Sequence, residues 1–343
     1  MRLLRAVLVA SLALAGVPGA SPAQESGKSL RIYWIDVEGG AATLVVTPGG
    51  GTLLMDCGWP GKRDAERIAR TLAAAGATKI DHYLTSHYHT DHWGSIEELA
   101  ALVPIGTYYY HPFPDASAKD VDPKIKAAFL ALAQGKSVEV APGMEVPLQG
   151  AKVRILCASG RVLDEAAGSP QIRPCLTNPE HPAKPEDTSD NARSVGFLLT
   201  FGGFKFLDLG DLTWNVEHKL VCPANLVGTV DVFQVSHHGL DQSNSPALLQ
   251  AVRPTVAVMN NGARKGGSAA TTRWLRETSS LQAIFQLHRN VGTGPGDNTA
   301  PELTANDDEA CQGQGIVLTV DPSGKSYTVE VPSKKTRRTF DVK

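Results

Sequence analysis

The stretch Thr85-Ser86-His87-Tyr88-His89-Thr90-Asp91-His92-Trp93-Gly94 decides how the rest of this chain is read. It gathers three histidines and a carboxylate between positions 87 and 92, in a chain with 10 histidines altogether. In a helix His87 and His89 would point nearly opposite ways, so two histidines four apart on one helical face is not the arrangement here. An extended segment leaving a strand puts residues 87, 89 and 91 on one side. His92 then turns back toward them where the next helix begins. The spacing suits two cations, His87 and His89 on one, Asp91 and His92 on the other. Imidazole and carboxylate ligands fit zinc, with iron or manganese also compatible.

Two later segments extend this reading. Phe206-Leu207-Asp208-Leu209-Gly210-Asp211 reads as a strand ending in a Gly-Asp step, which places the Asp211 carboxylate where it can bridge two cations. Val235-Ser236-His237-His238-Gly239 is again strand then loop. One histidine of this pair is expected to ligate metal, and the other to stand at the cavity mouth as an acid or substrate-binding group.

Outward from these motifs, β-type runs are expected at 30–37, 43–47 and 52–57, rich in β-branched and apolar residues and punctuated by glycine pairs. An amphipathic helix fits 63–75, with Ile68, Leu72 and Ala75 on one face. A strand at 80–85 delivers the histidine segment, and a helix at 95–102 follows it. Further strands (105–110, 138–140, 152–157) and a helix (122–134) lead to 158–193, a Pro/Asn/Asp/Ser/Gly-rich loop insertion. Strands resume at 195–200, 204–209, 230–235, 255–259 and 283–287, with helices at 246–251 and 272–277. A second Gly/Pro/Asp-rich loop (289–312) and a terminal hairpin (316–331) complete the chain. Strands in runs mixed with helices on no alternating schedule indicate an α/β (α+β) class, two mixed sheets flanked by helices. No Gly/Ser linker divides the chain, so residues 24–343 read as a single domain.

Residues 1–23 read as a secretory signal: Arg2 and Arg5, an apolar stretch at 6–17, then Ser21-Pro22-Ala23 before Gln24. A secreted or periplasmic protein is the expectation, with no membrane span once the signal is removed. The formal net charge of −2 provides no basic field for strong non-specific nucleic-acid binding. Oligomeric state is not legible. Among Cys57, Cys157, Cys175, Cys222 and Cys311, one bridge within the set Cys157, Cys175 and Cys311 is expected, and the odd count leaves a free thiol. Structural-zinc spacings of the CxxC type are absent, as are a GxSxG elbow, a Walker loop and a GxGxxG fingerprint. His82, His111, His218 and His288 receive no role; Trp59 and Trp93 flank the motif segments, where they read as core residues first and as walls of the cleft second.

With these motifs in this order, the chain resembles the metallo-β-lactamase superfamily over about residues 30 to 330. Asp36-Val37 with Gly40-Ala41-Ala42, and Leu54-Met55-Asp56-Cys57-Gly58, resemble the opening strands of free-standing hydrolases related to the DNA-uptake competence protein. The resemblance implies a four-layer αββα sandwich and a dinuclear centre, two Zn2+ per chain. Its implied ligands are His87, His89, Asp91, His92, Asp211, and His237 or His238, and it implies support of the metal histidines by Asp56. Where many relatives carry a third histidine, this chain has Ser189-Asp190-Asn191-Ala192-Arg193-Ser194. Asp190, Asn191 or His181 is then the third ligand of the first metal. The competence-type proteins also carry Asp where His89 stands, an acidic residue at Ala41, and Gly-His-Pro near Lys265-Gly266-Gly267-Ser268.

The expected activity is hydrolysis by a metal-bound hydroxide, with Asp91, His237 and His238 as catalytic residues. A phosphodiester or other small molecule is the expected substrate. Lactone or β-lactam opening on the same centre is the alternative, and a non-catalytic secreted binding protein with a degraded site is the other.

Overall fold

The computed structural model describes residues 29–114, 119–164 and 184–343. The chain runs through β1 (Arg31–Trp34), β2 (Thr43–Val46), β3 (Thr52–Met55), α1 (Lys62–Ala74), β4 (Ile80–Leu84), α2 (Thr90–Trp93), α3 (Ile96–Leu102), β5 (Ile105–Tyr110), α4 (Pro123–Ala133) and β6 (Ser137–Glu139). Next come β7 (Glu145–Val146), β8 (Lys152–Ala158), β9 (Arg161–Val162), β10 (Gly196–Phe201), β11 (Phe204–Asp208), α5 (Trp214–Val221), β12 (Val232–Val235), α6 (Pro246–Val252), β13 (Val256–Met259), α7 (Ala269–Glu277), β14 (Ala283–His288) and β15 (Thr304–Asn306). β16 (Ile316–Val320), β17 (Ser326–Val331) and β18 (Thr336–Asp341) return to the first sheet.

One mixed sheet has the order β18-β17-β16-β1-β2-β3-β4-β5-β6, and the other β15-β14-β13-β12-β11-β10-β8-β7, with β9 on β8. The period-2 alternation of strand side chains explains why the sheets stack. In β3, Leu53 and Met55 enter the core between the sheets while Leu54 turns outward under the helices. In β13, Val256 and Val258 face inward and Ala257 and Met259 outward. Ile68 and Leu72 of α1, Leu99 of α3 and Phe129 of α4 cover the first sheet. Leu220 of α5, Leu249 of α6 and Leu275 of α7 cover the second. These three apolar layers make the expected four-layer αββα arrangement. A polar contact crosses the middle: Gln234 Oε1 accepts from Trp34 Nε1 (2.8 Å) and Thr43 Oγ1 (2.7 Å). Removing that acceptor would leave a buried indole N–H unpaired, at a cost of about 1–3 kcal/mol.

The sheets are aligned so that chain ends carrying polar residues meet at one rim. β3 and β4 run parallel in the first sheet, β11 and β12 in the second. The loops that leave them are laced by backbone bonds: Asp56 N to Leu84 O (2.9 Å), Val195 N to Ser86 O (2.8 Å) and His237 N to Gly210 O (3.0 Å).

Several element expectations change. α5 was not anticipated, because two helical turns are too short to show a period. The terminal hairpin gains a third strand, β18, whose Arg337 and Arg338 suit a solvated edge. Cys57, Cys157 and Cys311 are free thiols and Cys222, which lies outside the expected set, is disulfide-bonded, so the bridge expected within Cys157, Cys175 and Cys311 does not form. Cys175, His181 and the proposed signal lie outside the described residues. Among the described residues no helix is long and apolar enough to cross a membrane.

Candidate metal centre

β4 ends at Leu84 and the chain stays extended only to His89, whose backbone (φ −66°, ψ 141°) caps α2. The helix therefore begins before Asp91. Asp91 and His92 project from a helical turn, not from the same extended stretch as His87 and His89, which corrects the alternation expected for 87, 89 and 91. The turn Ser236–Gly239 after β12 holds His237 and His238 at φ 54° and 52°, an uncommon left-handed conformation for side-chain-bearing residues. That double inversion aims both imidazoles into the rim. Gly210, at φ +58°, lets the strand after β11 pass the histidine segment: a Cβ there would lie 2.8 Å from Ser86 Cβ.

Asp211 Oδ2 is the focus. It lies 3.2 Å from His92 Nε2, 3.4 Å from His238 Nε2, 3.7 Å from His237 Nε2 and 3.8 Å from His87 Nε2. Asp91 Oδ2 lies 3.1 Å from His238 Nε2 and 3.3 Å from His92 Nε2. Imidazole nitrogens also face each other, His87 Nε2 to His89 Nδ1 at 3.0 Å and His92 Nε2 to His238 Nε2 at 3.1 Å. Lone pairs converging on shared points, with carboxylates between them, match the donor chemistry of divalent-cation sites. Two overlapping sets satisfy this: His87, His92 and Asp211, and Asp91, His92 and His238. His89 is the more exposed member, and its Nε2 lies 3.9 Å from Asp120.

Behind these groups stands a second layer. Asp56, at φ 62° after β3, accepts from Ser86 N (2.7 Å) and Ser86 Oγ (2.6 Å) and lies 2.7 Å from His92 Nδ1. His92 is thereby oriented with Nε2 toward the cluster, as ligating imidazoles require. Burial opposes charge on His92, but the Asp211, Asp91 and Asp56 carboxylates outweigh it and hold its pKa well above the ordinary value. Burial and the neighbouring His92 charge press His87 well below it. For Asp211 the burial penalty is overcome by His92, His238 and His237, leaving its pKa well below the carboxylate range. Asp208, fully buried between these groups, is pushed up to about 8 by burial.

Asp190, expected as a third ligand, is engaged elsewhere. Its Oδ2 accepts from Tyr88 N (2.7 Å) and lies 3.5 Å from His111 Nε2, while Oδ1 is 3.4 Å from Arg193 Nε. It braces the histidine segment through its backbone and is not brought to the nitrogens of His87 or His89. The next residue, Asn191, faces His237 Nε2 through its amide nitrogen at 3.3 Å, and its buried Oδ1 has no partner. Because amide N and O are assigned from bonding context, Asn191 can present either atom to the cluster. His237 Nδ1 lies 3.3 Å from Ser243 Oγ.

Sequence reasoning missed three contributors. His111 was dismissed as incidental, yet it is buried beside Asp190. Asp208 was read only as a strand residue. Lys265 ion-pairs with Asp91 Oδ2, and its Nζ stands 5.0 Å from the centre of the Trp59 ring. Trp59 is thus half-buried at the mouth, not a core residue, while Trp93 is fully buried as expected. No local spacing signals a partner 174 residues away.

Residues 35–156 match the metallo-beta-lactamase superfamily. Recombination protein 2 of Haemophilus influenzae is 26% identical over 241 residues, covering 70% of this chain and 25% of that protein. The chain therefore spans about a quarter of that relative's length. Among solved structures, the metallo-beta-lactamase fold protein YhfI of Bacillus subtilis aligns with TM-score 0.49 and 13% identity, covering 76% of this chain and 96% of that one. CmlA, a diiron beta-hydroxylase from Streptomyces venezuelae, aligns with TM-score 0.43 and 18% identity, covering 68% and 45%.

Proposed function

We propose that this chain is an exported metal-dependent hydrolase acting on phosphodiester-type substrates, with two zinc ions in the rim cluster. The observation that carries the reading is the convergence of four histidine nitrogens on Asp211 Oδ2, with Asp91 beside them. His87, His89 and Asp211 would hold one ion, and Asp91, His92, His238 and the shared Asp211 the other. Such ions polarise the scissile group and lower the pKa of a coordinated water.

The protein's own groups do the rest. Asp56 fixes the tautomer and direction of His92. His237, steadied by Ser243 and Asn191, is the imidazole left over from the second set, and its Nε2 is placed to pass a proton to a leaving oxygen. Lys265 and Trp59 border the mouth, the ammonium lying over the indole face and pairing with Asp91. The match to a recombination protein supports the phosphodiester class, and the sequence of residues 1–23 supports export. Lactone or β-lactam hydrolysis on the same centre is the second reading, since the same metal chemistry serves a carbonyl.

A panel of bis-nitrophenyl phosphate, a lactone and a chromogenic β-lactam, run with metal analysis, tests the proposal. Phosphodiester turnover with about two metals per chain, lost in His87→Ala and Asp211→Ala, is expected. Turnover of only the lactone or β-lactam would reassign the substrate. Less than one bound metal and no turnover would leave a binding protein.

A further inference from the structure

Asp36, His288 and Cys311 come together away from the rim cluster and share no residue with it. Asp36 follows β1 in the first sheet, His288 ends β14 in the second, and Cys311 closes the long loop after it. Asp36 and His288 are fully buried, and Cys311 is half-buried. Cys311 Sγ lies 3.1 Å from Asp36 Oδ2 and 3.9 Å from His288 Nε2, and His288 Nε2 lies 2.7 Å from Asp36 Oδ1. Ligands around a tetrahedral zinc ion sit roughly 3.5 Å apart, given its bond lengths of about 2.0 Å to nitrogen or oxygen and 2.3 Å to sulfur. The three observed separations bracket that figure.

We infer that Asp36, His288 and Cys311 form a second, mononuclear site for a zinc-class divalent cation, which clamps the two sheets beside the entrance to the rim cluster. Thiolate, imidazole and carboxylate together select zinc over harder cations. The charges also agree. Glu38 is already matched by Arg63 Nη1 (2.6 Å) and Arg67 Nη2 (2.9 Å). Asp36 and an ionised Cys311 then leave two negative charges for a divalent ion, Arg67 Nη1 standing 3.5 Å from Asp36 Oδ2 at the edge of the site. The fourth position falls to water, since Glu38 Oε1 is held by Arg67. Glu38 N donates to Asp36 Oδ1 (2.9 Å), and the same turn carries Ala41 N to Asp91 O (3.1 Å), so filling the site stiffens the segment that touches Asp91.

Cobalt substitution distinguishes this site, because among the described residues the rim cluster has no sulfur ligand and Cys57 and Cys157 are buried outside both. Purified full-length protein loaded with Co2+ is expected to show a thiolate-to-cobalt charge-transfer band in the near ultraviolet. Cys311→Ser should abolish that band, lower bound metal by one equivalent, and retain rim-cluster absorption and hydrolysis. As a check free of any variant, Zn2+ should protect Cys311 of the unmodified protein from alkylation, mapped by mass spectrometry. Cobalt absorption from the rim cluster with no thiolate band, a band that persists in Cys311→Ser, or alkylation of Cys311 indifferent to Zn2+ would each overturn the inference.

Discussion

Asp56 shows how one residue sets the direction of another. Held in a left-handed turn at the end of β3, it takes both donors of Ser86 and faces His92 Nδ1, leaving Nε2 free for the cluster. Partners of this kind typically contribute 10–100-fold to metal affinity. Asp56→Asn is therefore expected to weaken metal binding by about 10–100-fold in chelator-competition titrations, without unfolding the protein. An unchanged affinity would mean that the backbone alone orients His92. The role of Asp56 was implied by the family resemblance that the Leu54-Met55-Asp56-Cys57-Gly58 run carries; that of Ser86, which links Asp56 to His87 and His92, was not legible, because a serine carries no distinctive spacing.

At the scale of elements, α5 and α6 are joined through a buried carboxylate. Glu217 of α5 accepts from Asn244 N (2.7 Å) and Ser245 N (2.8 Å), just ahead of α6, where Ser245 caps the helix. Burial pushes its pKa up to about 7, against the smaller opposite pull of those two backbone donors. The folded value exceeds the unfolded one, so the folded state binds the extra proton, and stability falls as pH rises from about 4.5 through about 7. The loss is on the order of 3 kcal/mol. Urea unfolding of wild type and Glu217→Gln should show it: the wild type loses stability relative to the variant over that window. Parallel profiles would show a carboxylate ionised throughout. Neither helix end nor carboxylate announced this link, since α5 was too short to be seen as a helix.

For the whole molecule, the rim cluster draws its residues from both sheets, so cation binding and folding are coupled. At 100-fold above its dissociation constant, a ligand that binds only the folded state adds about 2.7 kcal/mol. Thermal unfolding with Zn2+ is expected to move up by several degrees, and a chelator to reverse it. In Asp211→Ala, which removes the shared carboxylate, most of this shift should vanish. A full shift in that variant would place the stabilising ion elsewhere, at Asp36, His288 and Cys311.

The histidine segment, the Gly-Asp step and the paired histidines were readable because each is a compact local pattern following a strand, and strand alternation made the two-sheet, helix-flanked class legible. What only the tertiary structure decided were relations between distant segments. It turned Asp190 to Tyr88 N and His111, set Asn191 against His237, and brought Lys265 to Asp91. It started α2 before Asp91 and joined Asp36 to His288 and Cys311 across the sheets. Spacing along a chain specifies residue types and local direction. Which carboxylate meets which imidazole depends on where the two sheets bring their loops, and that is fixed by packing over the whole fold.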